Sequence, residues 1–319
     1  MSDDQTYSAA AEVGQIKLQR SRFKRSWIEL KKAPPTAWFG LIMIIIYGFV
    51  AIFAPWLAPF GEADSSFFSF QPWGDGHIFG TDQIGRDIFS RLIFGARNTI
   101  GIALVTTLLS FAIGGSLGLI AAINQAWLDQ LISRLVDVLM AIPGLIFALM
   151  LLSIFGSSTI GLILIIAVLD STRVFRLTRA VSLTVVVMDY VEAAKLRGEK
   201  LGWIMRREIL PNIMPPLVAE FGLRFSFVFL TIAALSFLGV GIQPPTADWG
   251  SMVRDNASLI QFVRPWVTGD AFGANWGRLG EDIKLASPPL LAAGAIALLT
   301  ISVNFVVDWF LHKTSGLKE

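Results

Sequence analysis

Six long apolar stretches constrain this chain more than any other feature of its sequence. Each approaches the roughly 20 apolar residues that an α-helix needs to cross a bilayer. In lipid, every backbone polar group must be paired within the segment itself, so such stretches form helices. We therefore predict an all-α, polytopic membrane protein with about six transmembrane helices. These helices are expected near residues 37–58, 99–123, 131–155, 157–180, 217–241 and 287–311.

The amino-acid composition excludes several other classes of protein. Only 16% of the 319 residues are charged, whereas soluble domains carry about 25%. The sequence contains no cysteine, which excludes disulfides and thiolate metal sites. Its two histidines, His77 and His312, are far apart, so we expect no metal site. The Gly-x-x-x-x-Gly-Lys-Ser/Thr pattern of a nucleotide-binding loop is also missing, and nothing in the sequence indicates nucleic acid as a partner.

The distribution of lysine and arginine predicts the orientation in the membrane. Seven lysines and arginines lie in residues 1–36, eight in residues 173–216 and two after residue 311. Only three lie in residues 58–98 and four in residues 242–286. Because cytoplasmic loops are enriched in these residues, both termini are predicted to be cytoplasmic. The expected organisation is a basic cytoplasmic tail (1–36), a transmembrane domain (37–311) and a cytoplasmic C-terminal tail (312–319). Within the domain, the loops at 58–98 and 242–286 are external and the loop at 185–216 is cytoplasmic. The external loops contain Trp73, Trp249, Trp266 and Trp276 and are expected to form ordered caps.

The cytoplasmic loop is too long for a simple connection and predicts two short helices, at residues 190–197 and 201–210. Gly198 separates them, with a tight turn and positive φ, and Pro211 is expected to stop the second. Ala193 and Ala194 offer a small surface for close approach, beside the carboxylate of Glu192. The residues alone leave two interpretations open: an elbow that docks into a partner, or a hairpin that only connects two spans.

This loop resembles the EAA loop of permease subunits of ATP-binding cassette importers. The resemblance is carried by Glu192, Ala193, Ala194, Gly198, Leu210 and Pro211. Three further stretches, at residues 77–97, 134–143 and 235–250, are similar to C-type permeases of dipeptide and oligopeptide importers. The four stretches in this order cover most of residues 37–311. The sequence departs from the pattern at Asp170, where relatives often carry Trp, and at Ile232, where they commonly carry Glu.

The resemblance implies the type I permease fold of ATP-binding cassette importers and a multi-pass protein of the inner membrane. The chain then forms half of a translocation pathway, with a second homologous permease as the other half. Two cytoplasmic ATPase subunits, which bind ATP and Mg²⁺, drive transport through the EAA loop, and an extracytoplasmic binding protein delivers the cargo. No catalytic residue, metal or cofactor is expected on this chain. Peptides are the first candidates for cargo, with nickel chelates, opines and oligosaccharides left open.

Several ionisable residues lie within or beside the predicted spans and therefore need partners. We expect Arg134 with Asp137, and Glu220 with Arg224, to pair on single helix faces, although a gating role remains an alternative. The side chains of Asn304 and Asp308 are expected to join helices through hydrogen bonds.

The external residues Asp82, Arg86, Asp87 and Arg91 form a second polar cluster. We expect a capped helix here, with Thr81 or Asp82 as N-cap and Asp87 paired with Arg91. A contact with the binding protein or the partner permease is the alternative.

Two other functions compete with the importer hypothesis. A stand-alone secondary transporter or channel is expected to show ionisable residues at the membrane centre, or interrupted helices at equivalent places in two halves. An intramembrane enzyme needs a metal site or an activated nucleophile. Neither pattern is evident in the sequence.

Overall fold

The computed structural model describes residues 33–74, 76–124, 127–262 and 279–315. Within these residues the chain is helical, and its only extended pairing is a single bridge between Thr81 and Asp87. The predicted all-α class is therefore confirmed. Most of the predicted N-terminal tail, together with Trp266 and Trp276, lies outside the described residues.

Ten α-helices follow one another along the described part of the chain. They are α1 (Pro35–Leu57), α2 (Ile88–Ile123), α3 (Trp127–Ala141), α4 (Gly144–Phe155), α5 (Thr159–Val186), α6 (Asp189–Leu196), α7 (Leu201–Ile204), α8 (Leu210–Phe237), α9 (Trp249–Asp255) and α10 (Leu279–Ser315). A π-helical turn (Met205–Ile209) joins α7 to α8, and a 3-10 turn (Ala257–Phe262) follows α9.

The helices agree roughly with the six predicted spans. Four helical segments are long and apolar enough to cross a membrane: α1, α2, the continuous segment from α7 to α8, and most of α10. Helices α3 and α4 add a fifth span if they are counted together. Helix α5 has 28 residues, which is long enough, but it carries Asp170, Arg173 and Arg176 near its middle.

The prediction of one continuous helix at residues 131–155 is wrong. Helices α3 and α4 are bent by 89° relative to each other at the break between them. Pro143 cannot donate a backbone hydrogen bond, and it disfavours the helical conformation at Ile142 before it. Instead Pro143 has φ −55° and ψ 120° and forms the N-cap of α4.

Helices α2 and α5 lie against each other through small residues. Gly114 and Gly118 of α2 leave no room for a Cβ atom, because α5 approaches them at Ser171 and Thr178. Such residues allow helix backbones to come close and gain van der Waals contact. The main hydrophobic core then joins α2, α4, α5, α8, α9 and α10, with Trp249 near one end.

Residues 58–87 and 238–262 form a folded cap at the end of the bundle where α2 begins and α8 ends. Trp249 is 1% exposed, and its indole N–H donates to the Leu92 carbonyl at 2.9 Å. Asp248, the N-cap of α9, accepts hydrogen bonds from the Ser251 N–H at 2.8 Å and the Thr99 hydroxyl at 2.9 Å. These contacts anchor the described part of the cap to α2. That the cap lies on the external side of the membrane remains a prediction.

Candidate functional site: a helical elbow and a buried charge cluster

The loop after α5 forms a sharp elbow, which we define as residues 189–211. Helix α6 ends where the Gly198 N–H donates to the Lys195 carbonyl at 3.0 Å and the Glu199 N–H donates to the Ala194 carbonyl at 3.2 Å. Gly198 has φ 79°, in the left-handed region that glycine adopts without steric cost. The predicted turn at Gly198 and its positive φ are therefore confirmed.

The inner face of the elbow packs into a hydrophobic cluster. Val191 and Ala194 of α6 are fully buried in this cluster with Ile204, Ile209 and Ile213. Of the small surface predicted at Ala193 and Ala194, the part at Ala194 is therefore not open to a partner, because the helix turns this residue towards the bundle. The cluster also includes residues of α2 and α5, and so fixes the elbow relative to the helices behind it.

The outer face of α6 is exposed and partly apolar. We define the docking face as Tyr190, Glu192, Ala193 and Leu196, which are all exposed. The exposed fraction is 83% for Leu196 and 41% for Tyr190. Tyr190, Ala193 and Leu196 share one side of the helix because they are three residues apart. Exposed apolar groups rimmed by polar ones mark interaction sites, so this face offers a contact surface.

The second half of the elbow is continuous with a long helix, and the prediction that Pro211 stops it is wrong. The Leu210 N–H donates to the Met205 carbonyl, which closes the wide turn of a π-helix. Pro211 follows as the second residue of α8, and the helix continues through it. From there α8 runs 28 residues to the cap, a length of about 40 Å at helical rise.

A buried charge cluster lies between α2, α5 and α8. Arg224 places its Nε 2.7 Å from the Glu220 carboxylate, so the predicted pair on one helix face is confirmed. Arg224 also places an Nη1 atom 3.6 Å from Oδ1 of Asp170. Asp170 is 6% exposed, and its Oδ2 accepts a hydrogen bond from the Ser110 hydroxyl at 2.9 Å. Sequence spacing did not identify Asp170 as the third member, because Ser110 and Arg224 lie on other helices.

The charges of α3 pair with α5 and not with each other. Arg176 donates to the Asp137 carboxylate at 2.6 Å, whereas Arg134 is exposed. The predicted pair of Arg134 and Asp137 is therefore wrong. Asp129, also on α3, accepts two hydrogen bonds from Arg179, at 2.5 and 2.6 Å. Paired bonds of this kind between a guanidinium and a carboxylate are among the stronger polar contacts, so they tie α3 to α5.

The polar residues of α10 do not join helices within the described chain. Asp308 is exposed and Asn304 is half-buried. No hydrogen bond from either side chain reaches another helix in the described ranges. The prediction that these two residues link helices is thus wrong for the single chain.

The start of α2 differs from the predicted capped helix. The helix begins at Ile88, and its N-cap is Asp87 and not Thr81 or Asp82. The Asp87 carboxylate accepts a hydrogen bond from the Ser90 N–H at 2.7 Å. All three candidates have side chains that suit an N-cap, so residue type alone did not decide between them.

The ion pairs of the cap also differ from the prediction. Asp87 lies 2.8 Å from His77, whereas Arg91 lies 3.8 Å from Asp82, so the predicted pair of Asp87 and Arg91 is wrong. Asp82 accepts a 2.7 Å hydrogen bond from the Arg86 Nε. Asp82, Arg86, Asp87 and Arg91 are only 1–5% exposed, which gives them a structural role within the cap. A contact between these residues and a partner stays a prediction.

Comparison with known proteins identifies relatives of this chain. The family described as binding-protein-dependent transport system inner membrane component matches residues 114–315. The N-terminal transmembrane domain of oligopeptide transport permease C matches residues 21–72. The chain is 38% identical over 234 residues to the di/tripeptide transport system permease protein of Pseudomonas aeruginosa, covering 71% of this chain and 77% of the relative. It is 39% identical over 237 residues to the dipeptide transport system permease protein of Escherichia coli K12, covering 72% and 78%. It is 31% identical over 243 residues to the glutathione transport system permease protein of Pectobacterium atrosepticum, covering 75% and 80%.

Proposed function

Because the chain belongs to the family of binding-protein-dependent transport system inner membrane components, we propose that it forms half of the translocation pathway of an ATP-driven peptide importer. A second, homologous permease supplies the other half. Two cytoplasmic ATPase subunits bind ATP and Mg²⁺, and an extracytoplasmic binding protein delivers the cargo. Relatives named for dipeptides, di- and tripeptides and glutathione favour short peptides over the other candidate cargoes. This chain contributes the pathway and the coupling, and no covalent chemistry.

The observation that supports this proposal most strongly is the docking face of the elbow. Leu196 exposes 83% of its surface at the tip of α6, although Val191 and Ala194 on the opposite side are fully buried. A hairpin that only connects two spans does not require an exposed leucine on a rigidly anchored helix. An ATPase groove that receives α6 covers that leucine.

The anchoring of the elbow supplies a mechanism for coupling. The hydrophobic cluster behind α6 contains residues of α2, α5 and α8, so a push on the elbow moves these helices together. Closure of the ATPase dimer on ATP shifts the docked elbow, and α8 transmits the shift along its length. The bundle then changes between inward-open and outward-open states, which is a shift between two packed arrangements and not a continuous deformation.

A charge on the docking face tests this proposal. Leu196→Asp places a carboxylate in the proposed contact and leaves the buried cluster unchanged. Truncating or charging a desolvated contact costs several-fold or more in affinity, so we expect the ATPase subunits to be lost on purification of the assembly. Phe68→Asp is the matched control, because Phe68 is 82% exposed on the cap. The control variant should retain its ATPases.

Two results would count against the docking proposal. Retention of the ATPases by Leu196→Asp, with normal uptake, would make the elbow a simple connector. Equal loss of the ATPases from both variants would show that an added surface charge disturbs assembly in general. Co-purification followed by quantitative mass spectrometry distinguishes these results, because it measures each subunit separately.

A further inference from the structure

A cavity of about 360 Å³ opens beside Asp170. Its walls come from the broken α3–α4 region, from α5 and from α8. Apolar side chains such as Leu139, Ile142 and Phe227 form most of the wall, whereas Asp170 and Arg173 contribute opposite charges. A mostly apolar cavity with a few polar groups, in this range of volume, is typical of a small-molecule site.

Asp170 lines the cavity and has one carboxylate oxygen that accepts no short hydrogen bond. Its Oδ2 is bonded to Ser110. Its Oδ1 has Arg224 at 3.6 Å and Arg173 at 3.9 Å, and both distances are longer than a good hydrogen bond. Arg224 is meanwhile held by Glu220 at 2.7 Å. Oδ1 of Asp170 therefore has two guanidiniums within 4 Å, but no short hydrogen bond from the described chain occupies it.

Arg173 offers the complementary group. Its side chain is 52% exposed and is held to Asp170 only by the 3.9 Å contact. An exposed guanidinium on a long side chain adapts its position to a carboxylate, which it binds through two parallel hydrogen bonds. The cavity therefore presents an anion and a cation side by side against an apolar wall.

We propose that Asp170 and Arg173 form a subsite of the translocation pathway that receives the ammonium and carboxylate groups of a short zwitterionic peptide. The ammonium group donates to Oδ1 of Asp170, and the terminal carboxylate accepts from the guanidinium of Arg173. The apolar wall contacts the peptide side chains without selecting among them. This inference rests on the proposed transport function, and it adds a recognition step within the membrane to any selection by the binding protein.

A cysteine introduced at Thr231 reports on the occupancy of this cavity. Thr231 lines the cavity on α8, and the chain has no cysteine of its own. The full assembly, with its second permease made cysteine-free, is placed in nanodiscs without the binding protein, and the rate of maleimide labelling is measured. We expect a dialanine probe to slow labelling. N-acetylated or C-amidated dialanine should need at least about tenfold higher concentration for the same protection, because each lacks one charged contact and a tenfold loss of affinity corresponds to about 1.4 kcal/mol.

Substitutions assign each end of the peptide to its residue. Asp170→Asn should abolish the difference between dialanine and its N-acetylated form. Arg173→Gln should abolish the difference between dialanine and its amidated form, and it is the safer variant because its side chain is half exposed. Asp137→Asn, the same change at an exposed carboxylate outside the cavity, should leave both differences intact.

The outcomes separate this inference from the transport function. Equal protection by all three probes, or no protection by any of them, overturns the subsite, as does discrimination that survives both substitutions. If the wild-type assembly takes up no peptide with ATP and binding protein, the proposed function itself fails. If uptake is normal and the labelling shows no discrimination, only the subsite fails.

Discussion

Replacing Gly198 tests whether the shape of the elbow governs contact with the ATPases. At φ 79° a Cβ atom built on Gly198 meets nothing within 4 Å, so an added side chain clashes with no neighbour. The penalty is purely conformational, and it amounts to roughly 1–2 kcal/mol for an L-residue in the left-handed region. A substituted chain can relieve this strain by leaving the elbow conformation. The fraction of chains in the conformation that docks then falls by about 5- to 30-fold.

A series of substitutions separates this cost from other effects. Asn tolerates the left-handed region better than Ala, and a β-branched residue is the worst case. We therefore expect ATPase affinity in the order Gly, Asn, Ala, Val at position 198. Gly202→Ala is the matched control, because Gly202 lies on the same elbow, also has nothing within 4 Å of a built Cβ, and belongs to helix α7. Alanine in a helix is favoured over glycine by about 0.5–1 kcal/mol, so this variant should bind normally.

The assay is a titration of purified ATPase subunits onto the permease pair in nanodiscs, followed by uptake in proteoliposomes. Loss of affinity should parallel loss of uptake across the series. Wild-type affinity and uptake for Gly198→Val would refute the reasoning, because the most strained variant would then couple normally. A loss of equal size in Gly202→Ala would also refute it, since that position has no positive φ.

Three further predictions follow from burial, charge and topology. Ala194→Asp should destabilise the permease itself, purified without ATPases, by about 3–5 kcal/mol, the cost of an uncompensated buried charge. Ala193→Asp, at an exposed position, should leave the melting temperature of that ATPase-free permease unchanged in thermal unfolding. Burial raises the pKa of the Asp248 carboxyl in the folded protein above its value in the unfolded chain. The protonated carboxyl therefore contributes its full stability at pH values below the pKa of the unfolded chain, and this contribution is lost as the pH rises through the raised pKa of the folded protein. Asp248→Asn, which keeps the N-cap, should flatten that part of the stability-versus-pH curve measured by thermal unfolding. Single cysteines at Ser65 and Lys195 should react with an impermeant maleimide from opposite sides of the membrane, and reaction of both from one side would contradict the predicted topology.

The positions of the helices were predictable because lipid leaves an apolar stretch of 20 residues few alternatives to a helix. Mean hydropathy did not reveal the break at Pro143, because one proline barely lowers it; the break follows instead from the effect of proline on the residue before it. The turn at Gly198 was predictable because a glycine between two short helical patterns marks a left-handed residue. The continuation of the helix through Pro211 was not predictable, because the π-helical turn before Pro211 leaves no pattern in the residue types.

Ion pairs between different helices could not be predicted from the sequence. Glu220 and Arg224 are four residues apart and lie on one helix face, so their contact follows from helical geometry. The contacts of Asp137 with Arg176 and of Asp170 with Arg224 depend on how two helices pack, which spacing along one helix does not encode. Asp170 nevertheless carried a signal, because an ionisable residue in an apolar stretch requires a partner or a function.

Uptake by the reconstituted wild-type assembly tests the central claim most directly. The two permeases, the two ATPases and the binding protein are placed in proteoliposomes with a labelled dipeptide, and accumulation is followed with and without ATP. The account predicts accumulation that requires ATP, the ATPase subunits and the binding protein together. Dipeptide flux through this chain without ATP or ATPases, driven by an ion gradient alone, would contradict it and would favour a stand-alone secondary transporter.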